Sequence, residues 1–240
     1  MKIEEILGEL KLNPRISNKS TSGVLKSPKL QFIAAGCQAI AYYHKTHPNT
    51  VVKVAAVSGE GDPIWQFLRI CINHKNNPYF PKILNYKIFN LSAITDEEEE
   101  YLENDPAFEY LPIHDNRKMQ ILMVTEHLNE ITEAQFEQSL SKLGLDKLIE
   151  FAKRKWQPSY RYPLTTEMIW KMLMDKSIGR KYLRSESNDK YFSDAIRLLS
   201  PLLDTGRMYA DVHLGNMMLR KDGHLVFNDP LAITMTGDTD

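Results

Sequence analysis

The chain has 240 residues, a formal net charge of −1, and 42% hydrophobic and 25% charged residues, as expected for a soluble domain or two small lobes around a cleft. So neutral a total gives no general pull toward nucleic acid or membrane, and no apolar run nears the roughly 20 residues of a membrane span. Two cysteines, Cys37 and Cys71, are too few for a disulfide framework and suit a reducing cytoplasm. The start, MKIEEILGELKLNP, is acidic and lacks the basic-then-apolar order of a signal peptide. Histidines and cysteines show no zinc-finger spacing, and the pair His44 and His47 is a weak metal signal, so no structural metal is expected.

In chain order, residues 1–29 read as a short amphipathic helix and a loose extension. LQFIAAG then reads as a strand entering a glycine turn, QAIAYYHK as a second strand, and TVVKVAAV, after THPN, as a third. A helix follows, with Asp62 as its cap and Pro63 in its first turn. Its apolar face is Ile64, Phe67, Leu68 and Cys71. KILNYKIFN and MQILMVTEHL are two further strands, separated by an acidic loop at 96–115 with nine acidic residues and no Lys or Arg. Residues 147–184 carry ten Lys or Arg against three acidic residues, so an acidic loop and a basic helical face are both expected at the surface.

Past residue 130 the spacing turns helical over TEAQFEQSLSKLGLDKLIEFAKRKW and LTTEMIWKMLMDKSIGRKYL, where Thr165 or Thr166 is a candidate cap. NDKYFSDAIRLLSPLLDTG places Phe192, Ile196, Leu199 and Leu203 on one stripe that Pro201 should kink or end, with Gly206 as a helix stop. The last pattern is a short strand, a polar loop, a short strand, a turn at Asp222-Gly223, and the strand HLVFN leading to Asp229.

Four features stand in a telling order. A glycine turn at Gly36 joins two strands; Lys53 lies in the middle of an apolar strand; Asp211 precedes Asn216 by five residues; Asp229 closes an apolar run. A lysine inside such a strand is costly unless its charge meets a partner, so Lys53 should face a cleft. Asp and Asn also favour turns for purely local reasons, which explains neither Lys53 nor the order.

Together these residues resemble the protein-kinase set of glycine-rich loop, strand lysine, D-x-x-x-x-N loop and metal-binding aspartate. His213 makes the loop similar to the D-x-H-x-x-N form of aminoglycoside, choline and atypical kinases. A closer resemblance is to the early serine/threonine protein kinases of the T-seven group of phages. It is carried by Gly36 to Tyr42, Val51 to Val54, Asp211 to Met218 and Asp229-Pro230, and covers roughly residues 30–90 and 190–231.

The resemblance implies an α+β, bilobal protein-kinase-like fold. Its N-lobe, residues 30–128, would be small and β-rich; its C-lobe, 129–240, would be truncated and mostly helical. It implies ATP and Mg²⁺, or Mn²⁺ in its place, as cofactors. Lys53 would pair with the α/β phosphates, Gly36, Cys37 and Gln38 would approach them, and Glu126, His127 and Leu128 would read adenine. Asn216 and Asp229 would hold the metal, Asp211 would orient or accept from the attacking hydroxyl, and His213 would touch the transferred phosphate.

The pattern also departs from its relatives. Ala34 and Ala39 stand where two further glycines are usual, and Tyr209-Ala210 replaces the usual His-Arg. Asp229-Pro230-Leu231 stands for Asp-Phe-Gly, and the helix after Lys53 has no glutamate, leaving Glu60, Asp62 and Gln66 as candidate partners. Eleven residues follow Asp229, so helices within 130–188 are expected to build any substrate surface.

The expected partners are host proteins in the host cytoplasm, with self-phosphorylation and a homodimer as further expectations, and neither nucleic acid nor membrane. The alternatives are a catalytically silent kinase-fold protein acting by contact, and a small-molecule phosphotransferase.

Overall fold

A computed structural model of the chain describes residues 29–35, 39–57, 59–90, 119–155, 187–203, 208–211 and 213–233, with positions 169, 172–174 and 183 besides. The N-terminal extension 1–28, the turn 36–38, the acidic loop 96–115, most of the helical stretch 164–183 with its caps, and Gly206 lie outside the described residues. The chain divides into two compact units. One comprises residues up to Leu68 and Lys82–His127; the other comprises Arg69–Pro81 and everything from Leu128.

The first unit is an antiparallel sheet of β1 (Leu30–Ala35), β2 (Ala39–His44), β3 (Thr50–Val57), β4 (Ile83–Asn90) and β5 (Met119–Glu126). Its strand order is β1-β2-β3-β5-β4. Val, Ile and aromatic residues fill these segments because branched and flat side chains pack well on a pleated surface. The register sets Val52 between Tyr42 and Val124, and Val54 between Ile40 and Leu122. All six are buried. On the opposite face Ala55, Val57, Ile121 and Met123 are buried too. Burial on both faces explains why the central strands read as nearly unbroken apolar runs rather than strict alternation.

Helix α1 (Pro63–Asn73) follows β3. Asp62 caps it as expected: its Oδ1 accepts the Ile64 amide at 2.9 Å, satisfying a donor that the helix itself cannot. Ile64, Phe67, Leu68 and Cys71 form the buried stripe. The division between the units falls within this helix, after Leu68. The first unit is thus a five-stranded antiparallel sheet with a helix after its third strand, the element order expected from the sequence.

The second unit mixes helices and short strands. After β6 (Asn129–Glu130), α2 (Glu133–Lys142) starts at a capping box: Thr132 Oγ1 accepts the Gln135 amide, and Gln135 Oε1 accepts the Thr132 amide. The helical pattern of 132–156 does not run through. Gly144 takes a left-handed φ of 77°, closing α2, and α3 (Asp146–Lys155) starts afresh. The break lets Phe136, Leu140, Leu145 and Leu148 all be fully buried.

Helix α4 (Lys190–Leu203) is capped by Asp189, whose Oδ1 accepts the Tyr191 and Phe192 amides at 2.7 and 3.1 Å. Phe192, Ala195, Ile196 and Leu199 are its buried stripe, while Leu203 is half-buried. Pro201 lies inside the last turn and the helix ends two residues later, as a missing amide and a ring clash dictate.

The remaining strands are β7 (Met208–Ala210), β8 (Met217–Leu219), β9 (Leu225–Phe227) and β10 (Leu231–Ile233), with a 3₁₀ turn at Leu214–Asn216. β10 pairs with β7, and β6-β8-β9 form a second small sheet. Phe227 and Phe192, both fully buried, pack with Tyr79 and with each other. Each such ring contributes roughly 1.5–3 kcal/mol by burial. Segment 77–80 is fastened here by the Phe227 amide on the Tyr79 carbonyl (2.8 Å) and by the Arg220 guanidinium on the Pro78 and Phe80 carbonyls.

Candidate functional site

Four of the residues singled out in the sequence lie in the second unit, and backbone pairing positions them. Leu231 pairs with Ala210, and the next rung is the Asp211 amide donating to the Pro230 carbonyl at 3.0 Å. This brings the two segments bearing Asp211 and Asp229 side by side. The chain then turns through Leu214–Asn216, closed by the Asn216 amide on the His213 carbonyl (2.9 Å). The Asn228 amide donates to the Asn216 carbonyl at 2.9 Å, tying the far end of the loop to the residue before Asp229. The frame is anchored by Met217, Leu219, Val226 and Phe227, all buried.

Within that frame the side chains of Asp211 and Asn216 meet. Asn216 Nδ2 donates to the Asp211 carbonyl at 2.7 Å and to its Oδ2 at 3.2 Å. Its amide oxygen therefore faces away from Asp211. Asp211, Asn216 and Asp229 are half-buried and His213 is exposed. The apolar strand expected to end at Asp229 stops at Phe227. Asp229 sits two residues beyond it, on a bend.

Among the described residues no group of three or more His, Cys, Asp or Glu side chains gathers to hold a metal. That donor set does not suit a closed zinc or calcium site. It does fit Mg²⁺, which keeps its waters and takes one or two carboxylates plus phosphate oxygens rather than a protein cage. Asn216 and Asp229 offer an amide oxygen and a carboxylate of that hard type.

Lys53 is in the first unit, at the centre of β3, opposite Ala41 on one side and Met123 on the other. It is half-buried, between the buried Val52 and Val54. The small side chains of Ala39, Ala41 and Ala55 share its face of the sheet. Of the partners expected for it, Asp62 caps α1, and the Gln66 side-chain amide donates to the Glu60 carbonyl. Helix α1 itself contains no carboxylate.

The segment expected to read adenine is held from within. The Glu126 amide donates to the Lys82 carbonyl (3.1 Å), and the His127 amide to the Asn49 carbonyl (2.9 Å). The Glu126 carboxylate accepts the Lys82 amide at 2.8 Å. His127 Nε2 lies 2.9 Å from the Tyr43 hydroxyl, with the two rings in contact. Leu128, buried, begins the longer segment of the second unit. Gly36, Cys37 and Gln38 lie outside the described residues.

Sequence reasoning missed Tyr43, whose partner is 84 residues away, and Gly215, whose importance is steric. It also missed Arg220, which reaches carbonyls some 140 residues upstream. Only Gly215 left a local signal, as a glycine inside a turn that could hold any residue.

No helix among the described residues is long and apolar enough to cross a membrane. No protein-family model matches the chain, and no curated protein matches it. Among solved structures it is similar to the MAP kinase LmaMPK10 from Leishmania major, with 13% sequence identity and a TM-score of 0.32 over 94% of this chain. The chain spans 49% of that protein's length.

Proposed function

We propose that the chain is an ATP- and Mg²⁺-dependent serine/threonine protein kinase of phage type, acting on host proteins and on itself. The observation that carries this is the loop 211–216, where Asn216 Nδ2 holds the Asp211 carbonyl and carboxylate while two backbone bonds lash the loop to 228–230. The residues bearing a carboxylate, an amide oxygen and a second carboxylate thereby lie on neighbouring backbone segments. Lys53, on a strand lined by alanines, adds the cation that such chemistry needs.

Phosphoryl transfer asks mainly for positioning and charge neutralisation. A substrate hydroxyl oxygen attacks the γ-phosphorus, the bond from that phosphorus to the β-bridging oxygen breaks, and ADP leaves. Asp211 orients the hydroxyl and takes its proton. His213 donates to the transferred group, and Lys53 pairs with the α/β phosphates. Asn216 and Asp229 are the residues that would hold Mg²⁺, which when bound neutralises phosphate charge.

The test is labelling. Purified protein with Mg²⁺ and γ-labelled ATP should label itself or a lysate protein on Ser or Thr, and Asp211→Ala should abolish the signal. Equal labelling by the two proteins would sink the catalytic assignment. Labelling of aminoglycosides or other small alcohols, but of no protein, would move the acceptor to a small molecule.

A second reading is a silent kinase-fold protein acting by contact, favoured by the absence of any carboxylate in α1. It requires that wild type and Asp211→Ala both fail to label yet capture the same host protein.

A further inference from the structure

His213 opens the 3₁₀ turn with extended backbone (φ −114°, ψ 172°), and its ring folds back over the turn so that Nδ1 accepts the Gly215 amide at 3.1 Å. A neutral imidazole carries one hydrogen, so a nitrogen that accepts leaves the other protonated. Nδ1 is the acceptor, and Nε2–H is therefore the donor on a ring exposed to solvent.

Gly215 makes this possible. A Cβ at this position would lie 2.8 Å from His213 Cε1 and 3.0 Å from Nδ1, and among the described residues, chain neighbours aside, it would meet no other atom within 4 Å. Its backbone does not require glycine: the left-handed glycines among the described residues are Gly59, Gly144 and Gly223. In a helical turn alanine is ordinarily better than glycine by up to about 1 kcal/mol. Among the described residues, chain neighbours aside, the obstacle to a side chain at 215 is the imidazole.

We propose that Gly215 is a positioning residue for His213. The missing side chain lets the imidazole lie on the turn in a single tautomer and present Nε2–H outward as a fixed donor to a phosphoryl oxygen. The acceptor part of this rests on the kinase reading; the tautomer and its dependence on Gly215 do not.

The experiment keeps the two apart. Long-range ¹H–¹⁵N correlation spectra of the full chain at about pH 8, above the ordinary histidine range, should show His213 with an unprotonated Nδ1 and a protonated Nε2. Gly215→Ala should turn this into averaged tautomers while leaving the other ring signals in place. In the labelling assay Gly215→Ala should lose about 10- to 100-fold, the worth of one hydrogen bond to a charged group. His213→Ala should lose as much, and the double variant no more than either.

A protonated Nδ1 in the wild type, or an unchanged His213 signature in Gly215→Ala, would overturn the proposal. So would additive losses in the double variant. If Gly215→Ala does not fold, the wild-type spectrum decides alone. If the wild type labels nothing while its His213 spectrum is as expected, the kinase reading fails and the positioning of His213 by Gly215 stands.

Discussion

At the scale of single residues, Asp211 has two separable duties. Its backbone carbonyl takes the shorter bond from Asn216 Nδ2, and its carboxylate takes the longer one. Asp211→Asn keeps the carbonyl and offers an amide oxygen in place of Oδ2, but it cannot accept a proton. We expect a stability change below about 1 kcal/mol with phosphotransfer down by roughly 10²- to 10⁴-fold, read from urea melts and labelling rates on one preparation. A parallel collapse of both would make Asp211 a structural residue. This contrast was half visible in the sequence: the spacing of Asp211 and Asn216 marks a paired loop. That the amide reaches main chain and side chain at once was not visible, because spacing carries no direction.

At the scale of elements, Asp189 joins two parts of the second unit. One carboxylate oxygen caps α4 and the other accepts the Tyr79 hydroxyl at 2.7 Å. Burial pushes the Tyr79 phenol well above its ordinary range, and the bond to Asp189 adds to this, so Tyr79 stays a neutral donor. Asp189→Ala should remove a cap and leave a buried hydroxyl unpaired, costing about 2–4 kcal/mol. Tyr79→Phe, which removes donor and need together, should cost less. The ranking is read from denaturation midpoints, and equal losses would contradict the shared-carboxylate account.

Elements were more legible than their junctions. The alternation in AIAYYH and the Asp62-Pro63 start of α1 are local signals, and local signals survive in one dimension. The break at Gly144 was hidden because apolar residues on both sides continue a helical period. The hold of Arg220 on segment 77–80 was hidden because it joins distant parts of the chain, and neither sequence carries a mark of the other.

At the scale of the whole molecule, acid response should be traceable to His224. Burial holds its pKa below the ordinary 6.5, with Arg220 pushing the same way and Asp222 and Asp189 pulling against them. Its ring lies on Tyr79 (centroids 4.6 Å), and its buried Nε2 has no hydrogen-bond partner among the described residues. A base with a depressed folded pKa binds protons more readily when unfolded. Stability present above about pH 6.5 is therefore lost as pH falls below it, until the folded-state pKa is passed. Thermal midpoints should drop between about pH 7 and pH 5.5, and His224→Gln should flatten that slope. An unchanged slope in the variant would assign the acid response elsewhere.

The bonds that lash 211–216 to 228–230 run from main chain to main chain: Asp211 amide to Pro230 carbonyl, Asn228 amide to Asn216 carbonyl, and the β7–β10 rungs beyond. Within the loop the Asn216 side chain adds to that lashing, through Nδ2 on the Asp211 carbonyl. Trimming Asp211 to alanine therefore leaves those backbone bonds, and the Asn216 bond to its carbonyl, in place. A dead Asp211→Ala variant would then report on reactivity rather than on wreckage, so the carboxylate can be dissected apart from the backbone that carries it.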